Sequence, residues 1–382
     1  MSLLSDAPAQ FTGTGRYVSE LLRALGKRPA DVRIDVLVGD GVDERTANLN
    51  ASNVVVHSAR GYRVVNFRVG RAVAMSAAWI CPRPLARQFP PDVDVVHYPL
   101  ALRVPAVRSA TVQSLFDVLH HDLPQSFSRV QHVWRRVMYD GAARRATAVV
   151  TASEHARTGI IDRVGVDPER IHVIHLGVDH SRFTSGPCSA DDEKLLAPLA
   201  LPTRFLLYPA SLWDHKNHAR LLAAMAQAAD DELALVMTGA TFGKLGSLIA
   251  EAQRLGLGSR VSHLGRVSEE ALPALYRRAT ALVFPSLYEG FGVPPIEAMA
   301  CGCPVASSRE ASLSEVCGDA AAELSPRNVE QMAATIDAVA NDVALRSALR
   351  KKGFRQAQNF TWERNADAHL AVYREASERR VG

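Results

Sequence analysis

The segment ALVFPSLYEGFGVPPIEAMACGCPVASS, residues 281–308, has the alternation of apolar and turn residues that most clearly indicates the fold. ALVFPS at 281–286 and CPVASS at 303–308 are short apolar runs typical of buried strands. Between them lie a glycine-rich bend and two prolines, Pro294 and Pro295, which suit the first turn of a helix because proline has no N–H to leave unbonded. A strand, a helix and a second strand in this order predict a parallel sheet with helices on its faces.

The same alternation continues along the rest of the chain. Further apolar runs typical of strands are RIDVLVGD at 33–40, DVDVVHY at 92–98, ATAVVTAS at 146–153, RIHVIHLG at 170–177, RFLLYPAS at 204–211, LALVMTGA at 233–240 and RVSHLG at 260–265. Helical patterns separate them, and the series lapses over 186–203, where polar, glycine and proline residues are typical of a linker.

We therefore predict an α/β protein with two Rossmann-like domains, an N-terminal one over 1–185 and a C-terminal one over 204–362, joined by a linker over 186–203. Ligands bind beyond the carboxyl ends of the strands in such folds, so a cleft between the domains is the expected site. Only MSLL precedes the polar turn SDAPAQFTGTG. Either the first strand is very short or the chain begins late.

Composition excludes several classes of protein. The 382 residues carry a net charge of +4 and are 47% hydrophobic, which indicates a globular protein that is too weakly basic for a typical nucleic-acid binder. The five cysteines lack metal-ligand spacing, as expected of a reduced cytosolic protein. Neither an apolar run of about 20 residues nor a signal peptide is present, so we expect a cytoplasmic protein that is at most peripheral on a membrane.

Residues 51–90 form a basic stretch within the more basic first half of the chain. They contain no acid but six arginines, interleaved with Tyr62, Phe67, Met75 and Trp79. This pattern fits a segment lying on an anionic membrane surface, and it fits an ordinary solvated helix and loop equally well.

Two carboxylates of the opening segment, Glu289 and Glu297, lie eight positions apart across the bend. Glu297 is expected in the first helical turn, where the helix dipole favours an acid. Glu289 precedes the bend and has no such structural role, so we predict that it accepts hydrogen bonds from neutral hydroxyls of a ligand. The residues of the bend that keep a backbone donor for an anion are Gly290, Phe291, Gly292 and Val293.

Lys216 is the predicted cation of the same site. YPASLWDHKNHARLL, residues 208–222, ends a strand and starts a helix, and it places Lys216 beside His215 near the first helical turn. A cation there opposes the helix dipole, so Lys216 is expected to serve a bound anion such as a diphosphate, with a solvated lysine as the alternative. Arg266 is predicted to add positive charge nearby.

Two loops of the first half are further candidates. In FTGTGRYVSELL, residues 11–22, Gly13 and Gly15 immediately precede a predicted helix and fit either an anion site or a tight turn. In TVQSLFDVLHHDLPQSF, residues 111–127, Asp117 and His120 are candidate polar contacts of an active-site loop, or ordinary loop residues. We expect no metal, because the adjacent His120 and His121 should point in different directions.

The motifs together resemble the retaining glycosyltransferases of family 4, also called group 1, with the GT-B fold. They are E-x7-E at Glu289 and Glu297, HKN around Lys216, TGTGRY, ACGCPV, HLGVDHSRF and the closing FTWERNADAHLAVYRE. The likeness covers nearly the whole chain in the family's order. It implies a final helix over 363–382 that packs back across the domain junction.

The resemblance also implies roles for these residues. Lys216, aided by His215, would hold the diphosphate of a nucleotide sugar and Glu297 the ribose, while Glu289 with the bend would hold the sugar and phosphates. Arg266 or Val267 would contact the base, and Gly13 would approach from the other domain. The chain departs from the family at Phe116, where many relatives have histidine, and at Ala210 and Ser211, where many have arginine nearby. Asp117 or His120 is then the expected substitute for the family histidine.

The resemblance predicts a retaining glycosyltransferase that needs no metal and no cofactor. It would move a sugar, with mannose as the first guess, from GDP-mannose or a UDP-sugar to a glycan or lipid-linked acceptor in surface polysaccharide, lipopolysaccharide or glycolipid synthesis. Nucleic acid is not an expected partner. Two alternatives stay open: a nucleotide-sugar epimerase of the same architecture, and a homologue that binds nucleotide sugars without turnover.

Overall fold

The computed structural model describes residues 1–4, 13–28, 32–40, 51–63 and 68–379. Its contacts divide the chain into two compact units. The first unit is Met1–Gly177 together with Trp362–Gly382, and the second is Val178–Thr361. The predicted α/β architecture with two parallel-sheet domains is confirmed.

The described residues of the first unit form six parallel strands. These are β1 (Ile34–Asp40), β2 (Val54–Arg63), β3 (Val95–Tyr98), β4 (Ala110–Ser114), β5 (Ala148–Thr151) and β6 (Ile171–Val173). Its helices are α1 (Gly13–Gly26), α2 (Arg68–Ile80), α3 (Arg83–Ala86), α4 (Leu119–Asp122), α5 (Arg129–Arg135), α6 (Gly141–Arg145), α7 (Glu154–Gly159) and, at the end of the chain, Trp362–Glu378.

The first residues of the chain join two groups of strands in this unit. β1 pairs with β2, and β3, β4, β5 and β6 pair in that order. Leu3 donates its backbone N–H to Leu37 O (2.9 Å), and Ser2 donates to His97 O (2.9 Å), so this short stretch lies between β1 and β3. Of the two alternatives for MSLL, a very short first strand agrees with the single parallel bridge between Ser2 and Leu37.

The second unit contains one six-stranded parallel sheet. Its strands are β7 (Phe205–Pro209), β8 (Ala234–Thr238), β9 (Val261–His263), β10 (Ala281–Phe284), β11 (Val305–Ser307) and β12 (Ala322–Glu323). Its helices are α8 (Ala190–Leu196), α9 (His218–Gln227), α10 (Leu245–Arg254), α11 (Ala271–Arg278), α12 (Val293–Ala300), α13 (Leu313–Cys317), α14 (Val329–Asn341) and α15 (Val343–Ala357).

The strand order of the second sheet determines where a ligand can bind. The order is β12-β11-β10-β7-β8-β9. The chain adds β8 and β9 on one side of β7, and then adds β10, β11 and β12 on the other side of β7. Ligands of doubly wound sheets bind beyond the carboxyl ends of the strands at such a switch point. The loops that follow β7 and β10 are therefore the expected site.

The observed boundaries differ from the predicted ones. The first unit ends at Gly177 rather than 185, and the predicted linker contains α8. Ser189 and Asp192 form a capping box at the start of α8, and Asp192 accepts hydrogen bonds from the Arg277 guanidinium, at 2.6 Å for the shorter. The polar residues that suggested a linker lie on the solvated face of this helix. The sequence S-A-D-D, residues 189–192, is a capping-box pattern that could have predicted its start.

The final helix, Trp362–Glu378, completes the first unit through buried hydrogen bonds. Tyr17 O–H lies 2.9 Å from His369 Nε2 and 3.1 Å from Ser114 Oγ, and Asn365 Nδ2 donates to His175 O at 2.7 Å. Burial lowers the pKa of His369 to about 4, so its ring is neutral at pH 7. The helix therefore packs as part of the first unit's core.

The basic segment 51–90 folds largely as β2, α2 and α3. Tyr62 and Met75 are buried in the core, and Trp79 packs against the same cluster. Phe67 lies outside the described residues. Tyr62 and Met75 therefore contribute to the core, and contact of this segment with a membrane stays a prediction. Among the described residues, no helix combines the length and apolar character needed to cross a membrane.

The Asp192–Arg277 pair makes a testable contribution to stability. Hydrogen bonds from Arg277 lower the pKa of Asp192 from 3.8 to about 2, so the pair stabilises the fold above pH 4 and its contribution is lost as the pH falls towards 2. We expect Asp192→Asn to lower the free energy of unfolding at pH 7 by about 2 kcal/mol. Urea denaturation between pH 7 and pH 3 should show this difference shrinking below pH 4.

Asp191→Asn is the matched control, because the neighbouring Asp191 side chain is 92% exposed. Its effect should stay within about 0.5 kcal/mol. Equal losses for the two variants would contradict the structural role given to Asp192.

Candidate functional site

The loops after β7 and β10 bring the two main predicted polar residues together. Lys216 Nζ donates to Glu289 Oε1 at 2.5 Å, although 73 positions separate the two residues in sequence. Their side chains are 16% and 11% exposed. A cation and a carboxylate thus meet at the switch point of the sheet, with a limited opening to solvent.

The backbone around Lys216 is fixed by buried polar contacts. Asn217 adopts a left-handed conformation (φ 65°) at the start of α9, and its Nδ2 donates to Pro285 O (3.1 Å) and Pro326 O (2.7 Å). Tyr208 O–H donates to Lys216 O at 2.5 Å. Lys216 ends the short turn Asp214–Lys216 directly before α9, so it lies near the first turn of that helix, as predicted. Its charge still lies at the positive end of the helix dipole.

His215 is a neutral neighbour of this pair. Burial and the charge of Lys216 lower its pKa to about 4. The backbone O of His215 accepts hydrogen bonds from Leu287 N (2.7 Å) and Ser286 Oγ (3.3 Å), which ties the loop after β7 to the loop after β10. His215 is therefore a hydrogen-bonding imidazole at pH 7, and Lys216 supplies the positive charge.

The predicted bend requires glycine at one position. Gly292 has φ +99° and precedes α12, and an added Cβ would lie 2.5 Å from Leu313 Cδ2. Ser312 Oγ bonds to the backbone O atoms of Glu289 (2.9 Å) and Phe291 (2.8 Å). Val293 then begins α12, so the end of the bend lies at a helix N-terminus, where backbone N–H groups favour an anion.

Glu297 differs from its prediction. It is the fifth residue of α12, and no acid lies in the first turn of this helix. Glu297 is 3% exposed, and its Oε2 accepts a hydrogen bond from Tyr276 O–H at 3.1 Å. The capping explanation is therefore wrong, because the two prolines move the start of the helix to Val293. Glu297 is instead a buried carboxylate held by the Tyr276 hydroxyl.

The loops after β8 and β9 continue the same edge of the sheet. Gly239 has φ +135°, and a Cβ there would lie 2.8 Å from the backbone of Ala210 and Ser211. Gly239 N donates to Gly265 O at 2.8 Å. Arg266, which follows directly, is exposed, and Val267 is half-buried. Arg266 thus follows the carboxyl end of β9, at the same edge of the sheet as the Lys216–Glu289 pair. Lys216 and Glu289 pair with each other and not with Arg266.

The candidates of the first unit lie on two separate elements. Gly13 and Gly15 are in the first turn of α1, which has no acid, rather than before the helix as predicted. Asp117 follows β4, and its Oδ1 accepts the backbone N–H of Leu119 at 3.0 Å. Asp117 remains half-buried and open to solvent.

His120 is buried, which contradicts its predicted role as a polar contact for a substrate. It is 1% exposed, and its Nε2 lies 2.9 Å from Asp140 Oδ1. His121 Nε2 lies 2.9 Å from the other oxygen of the same carboxylate. Burial acts to raise the pKa of Asp140, but the hydrogen bonds from the two histidines outweigh it and lower that pKa.

The argument that adjacent histidines diverge is therefore wrong. The single turn of α4 places the two imidazole centroids 4.4 Å apart, and both rings turn towards Asp140. Reasoning from the sequence also missed Tyr276, Ser312 and Asn217. Only Asn217 had a local signal, the asparagine directly before an apolar helix.

Two family models of glycosyltransferases match the chain. Residues 193–356 match the family model described as "Glycosyl transferases group 1", and residues 11–182 match "Glycosyltransferase Family 4". The second match contains Gly13, Asp117 and His120, and the first contains Lys216, Glu289 and Glu297.

Individual proteins are similar over most of the chain. The O-antigen chain mannosyltransferase B of Escherichia coli is 25% identical over 371 residues, covering 95% of this chain and 96% of the relative. The MMP alpha-(1->4)-mannosyltransferase of Mycolicibacterium hassiacum is 31% identical over 304 residues, covering 75% and 71%. The crystal structure of Anabaena HepE in complex with UDP and glucose has a TM-score of 0.72 at 21% identity, covering 98% and 97%, a likeness of fold.

The bend predicts a large difference between two glycine substitutions. Gly292→Ala combines a positive φ with a clash against Leu313, so we expect it to lower the free energy of unfolding by about 2 kcal/mol or more. Gly246→Ala is the control, because Gly246 lies in α10 and an added Cβ there has no atom within 4 Å. It should leave stability unchanged or raise it by up to about 1 kcal/mol. Thermal unfolding of both variants checks this, and a well-tolerated Gly292→Ala would contradict the described bend.

Proposed function

The chain belongs to glycosyltransferase family 4 and is a glycosyltransferase of GT-B fold, and from this premise we propose that it is a retaining mannosyltransferase. It takes the sugar from a nucleotide-diphosphate donor and uses no metal ion in the transfer step. The observation that carries the proposal is the Lys216–Glu289 pair at the switch point of the second sheet, beside the N-terminus of α12.

Lys216 is proposed to bind the diphosphate of the donor. Its ammonium group has one carboxylate partner at 2.5 Å and has three N–H donors, so donors remain for phosphate oxygens. The turn before α9 and the start of α12 add the positive ends of two helices. Together these groups supply the charge stabilisation that a metal ion gives in other phosphate sites.

Glu289 is proposed to hold the hydroxyls of the transferred sugar. Glu289 lies in the loop after β10, before the bend, and its side chain is 11% exposed. Its carboxylate can therefore accept hydrogen bonds from a ligand that enters from solvent. Gly290, Phe291, Gly292 and Val293 then contribute backbone contacts to the sugar and phosphates. Ser312 keeps this backbone in place.

The nucleoside is proposed to bind along the neighbouring strand ends. Glu297 would accept hydrogen bonds from the ribose hydroxyls, with Tyr276 orienting its carboxylate. Arg266 or Val267, which follow β9 at the same edge of the sheet, would contact the base. His215, neutral at pH 7, is a hydrogen-bonding neighbour of the phosphates and not a second cation.

The transfer step follows from these roles. The bond between the anomeric carbon and the β-phosphate oxygen breaks, and a bond to the acceptor oxygen forms on the same face of the sugar. The proton of the acceptor hydroxyl passes to the departing phosphate oxygen. Lys216 and the helix N-termini stabilise the charge that grows on the diphosphate, which is the main task of the protein in such a step.

Asp92 and Asp94 have D-x-D spacing, but they are poorly placed to bring a metal ion to a donor. They directly precede β3. Ligands of parallel sheets bind beyond the carboxyl ends of strands, and these acids lie at the amino end. We therefore give them no part in the transfer.

Mannose and a surface polysaccharide are proposed from the relatives. Two of them are named mannosyltransferases, and one of these acts on the O-antigen chain. GDP-mannose is the proposed donor, with UDP-sugars as the competing class because the structurally similar HepE holds UDP and glucose. The acceptor would be a glycan or a lipid-linked glycan, reached from the cytoplasmic side of the membrane.

Turnover of a donor panel tests this proposal. Release of nucleoside diphosphate and the anomeric configuration of the product distinguish a retaining transferase from an epimerase, which would interconvert sugars without an acceptor. Lys216→Met and Glu289→Gln should each lower kcat by about 100-fold or more, because each removes a group that contacts the reacting part of the donor.

Two exposed residues provide matched controls. Lys194→Met and Glu323→Gln make the same changes at side chains that are 79% and 69% exposed, and both variants should keep near-normal turnover. Folded Lys216→Met and Glu289→Gln proteins with normal rates would refute the assignment of the site.

A further inference from the structure

Three histidines and one aspartate form a buried cluster in the first unit, outside the donor site. His120, His121 and Asp140 offer ligand atoms that all lie within 4.8 Å of one another. Asp140 and His120 are 1% exposed and His121 is 11% exposed. Such a concentration of imidazole and carboxylate groups in a protein core is costly unless each group has a partner.

His132 gives this cluster a fourth possible ligand. Its ring centroid is 6.4 Å from that of His120 and 6.3 Å from that of His121. Its Nε2 atom is buried and has no hydrogen-bond partner within the described part of the chain. A buried imidazole nitrogen without a partner, beside two other imidazoles, points to a ligand that the side chains themselves do not supply.

The backbone departs from regular helix where it places Asp140. Residues Arg136–Asp140 form a π-helical segment between α5 and α6, and Asp140 is its last residue. Such segments interrupt α-helices frequently at functional sites. Here the last residue of the segment supplies the carboxylate that touches both histidines.

We propose that His120, His121 and Asp140, with His132 as the fourth ligand, bind one divalent ion of the zinc class. Two or three imidazoles and one carboxylate suit Zn²⁺, whereas Mg²⁺ and Ca²⁺ prefer sites made of oxygen ligands. A neutral imidazole that turns Nε2 to the ion carries its single ring proton on Nδ1, and protonation of the imidazoles at low pH competes with the ion, so binding weakens as the pH falls.

The charges around the cluster are compatible with such an ion. Neutral imidazoles and Asp140 give the ligand set a charge of −1, and a divalent ion leaves +1. Asp122, next to His121, pairs with Arg163 at 3.4 Å. Arg136 is the nearby cation that acts on His121, and it makes the site less favourable for an ion than the ligands alone suggest.

The ion would fasten the loop after β4 to the helical segment that carries Asp140. Asp117, at the half-buried start of this loop, lies three residues before His120, so the ion positions Asp117 without touching the donor. This makes the four ligands positioning residues, and the transfer step does not pass through the metal. The inference stands independently of the proposed sugar and acceptor.

Cobalt spectroscopy on the chelator-treated full chain tests the site. Co²⁺ added alone should give one equivalent of binding, with the intense visible absorption of a four-coordinate ion, and Zn²⁺ should displace it. His121→Gln should weaken Co²⁺ binding by about 100-fold or more, since even changes to residues behind the ligands cost 10- to 100-fold. His155→Gln, at an exposed histidine of the same unit, should bind as the wild type does.

Thermal unfolding gives a second measurement that does not depend on activity. Zn²⁺ should raise the Tm of the wild type and of His155→Gln, but not that of His121→Gln, because an ion that binds only the folded form stabilises it. His121 is at the edge of the cluster, so its substitution is the one most compatible with folding. Absence of stoichiometric Co²⁺ binding by the wild type, or equal binding by His121→Gln, would overturn the proposal.

Discussion

The ion pair between Lys216 and Glu289 is the interaction on which the candidate site depends. It joins the loop that follows β7 to the loop that follows β10, at the point where the sheet changes direction. Each charge is mostly removed from water, so each needs the other or a ligand to compensate its lost hydration. A diphosphate that approaches Lys216 and a sugar that approaches Glu289 would offer that compensation from opposite sides.

The surrounding structure keeps these two charges in place. Asn217 holds the loop of Lys216 against the backbone near β10, and Ser312 holds the backbone of Glu289. Gly292 provides the bend that brings Glu289 beside the start of α12. These residues contact other parts of the protein, so their role is to limit the freedom of the charged groups. A site prepared in this way avoids part of the ordering cost of binding.

The sequence predicted the strands and the charged residues better than their surroundings. Apolar runs such as ALVF and FLLYP identified β10 and β7, because buried parallel strands have a strong local pattern. Glu289 and Lys216 could be assigned to one site from the sequence motifs, although their ion pair could not be predicted. By contrast, the Tyr276 contact to Glu297 and the Asp140 contact to two histidines depend on distant segments meeting. The helix α8 was missed because its solvated face has the composition of a linker.

The assignment of the diphosphate to Lys216 and of the sugar to Glu289 can be tested by binding alone. Calorimetric titration of the full chain with GDP and with GDP-mannose tests it most directly, with UDP and UDP-glucose as the second pair. We expect Lys216→Met to lose affinity for the nucleoside diphosphate and the nucleotide sugar alike, by about tenfold or more. Glu289→Gln should keep its affinity for the nucleoside diphosphate and lose only the part that the sugar adds. Unchanged binding of every nucleoside diphosphate by Lys216→Met would contradict the account.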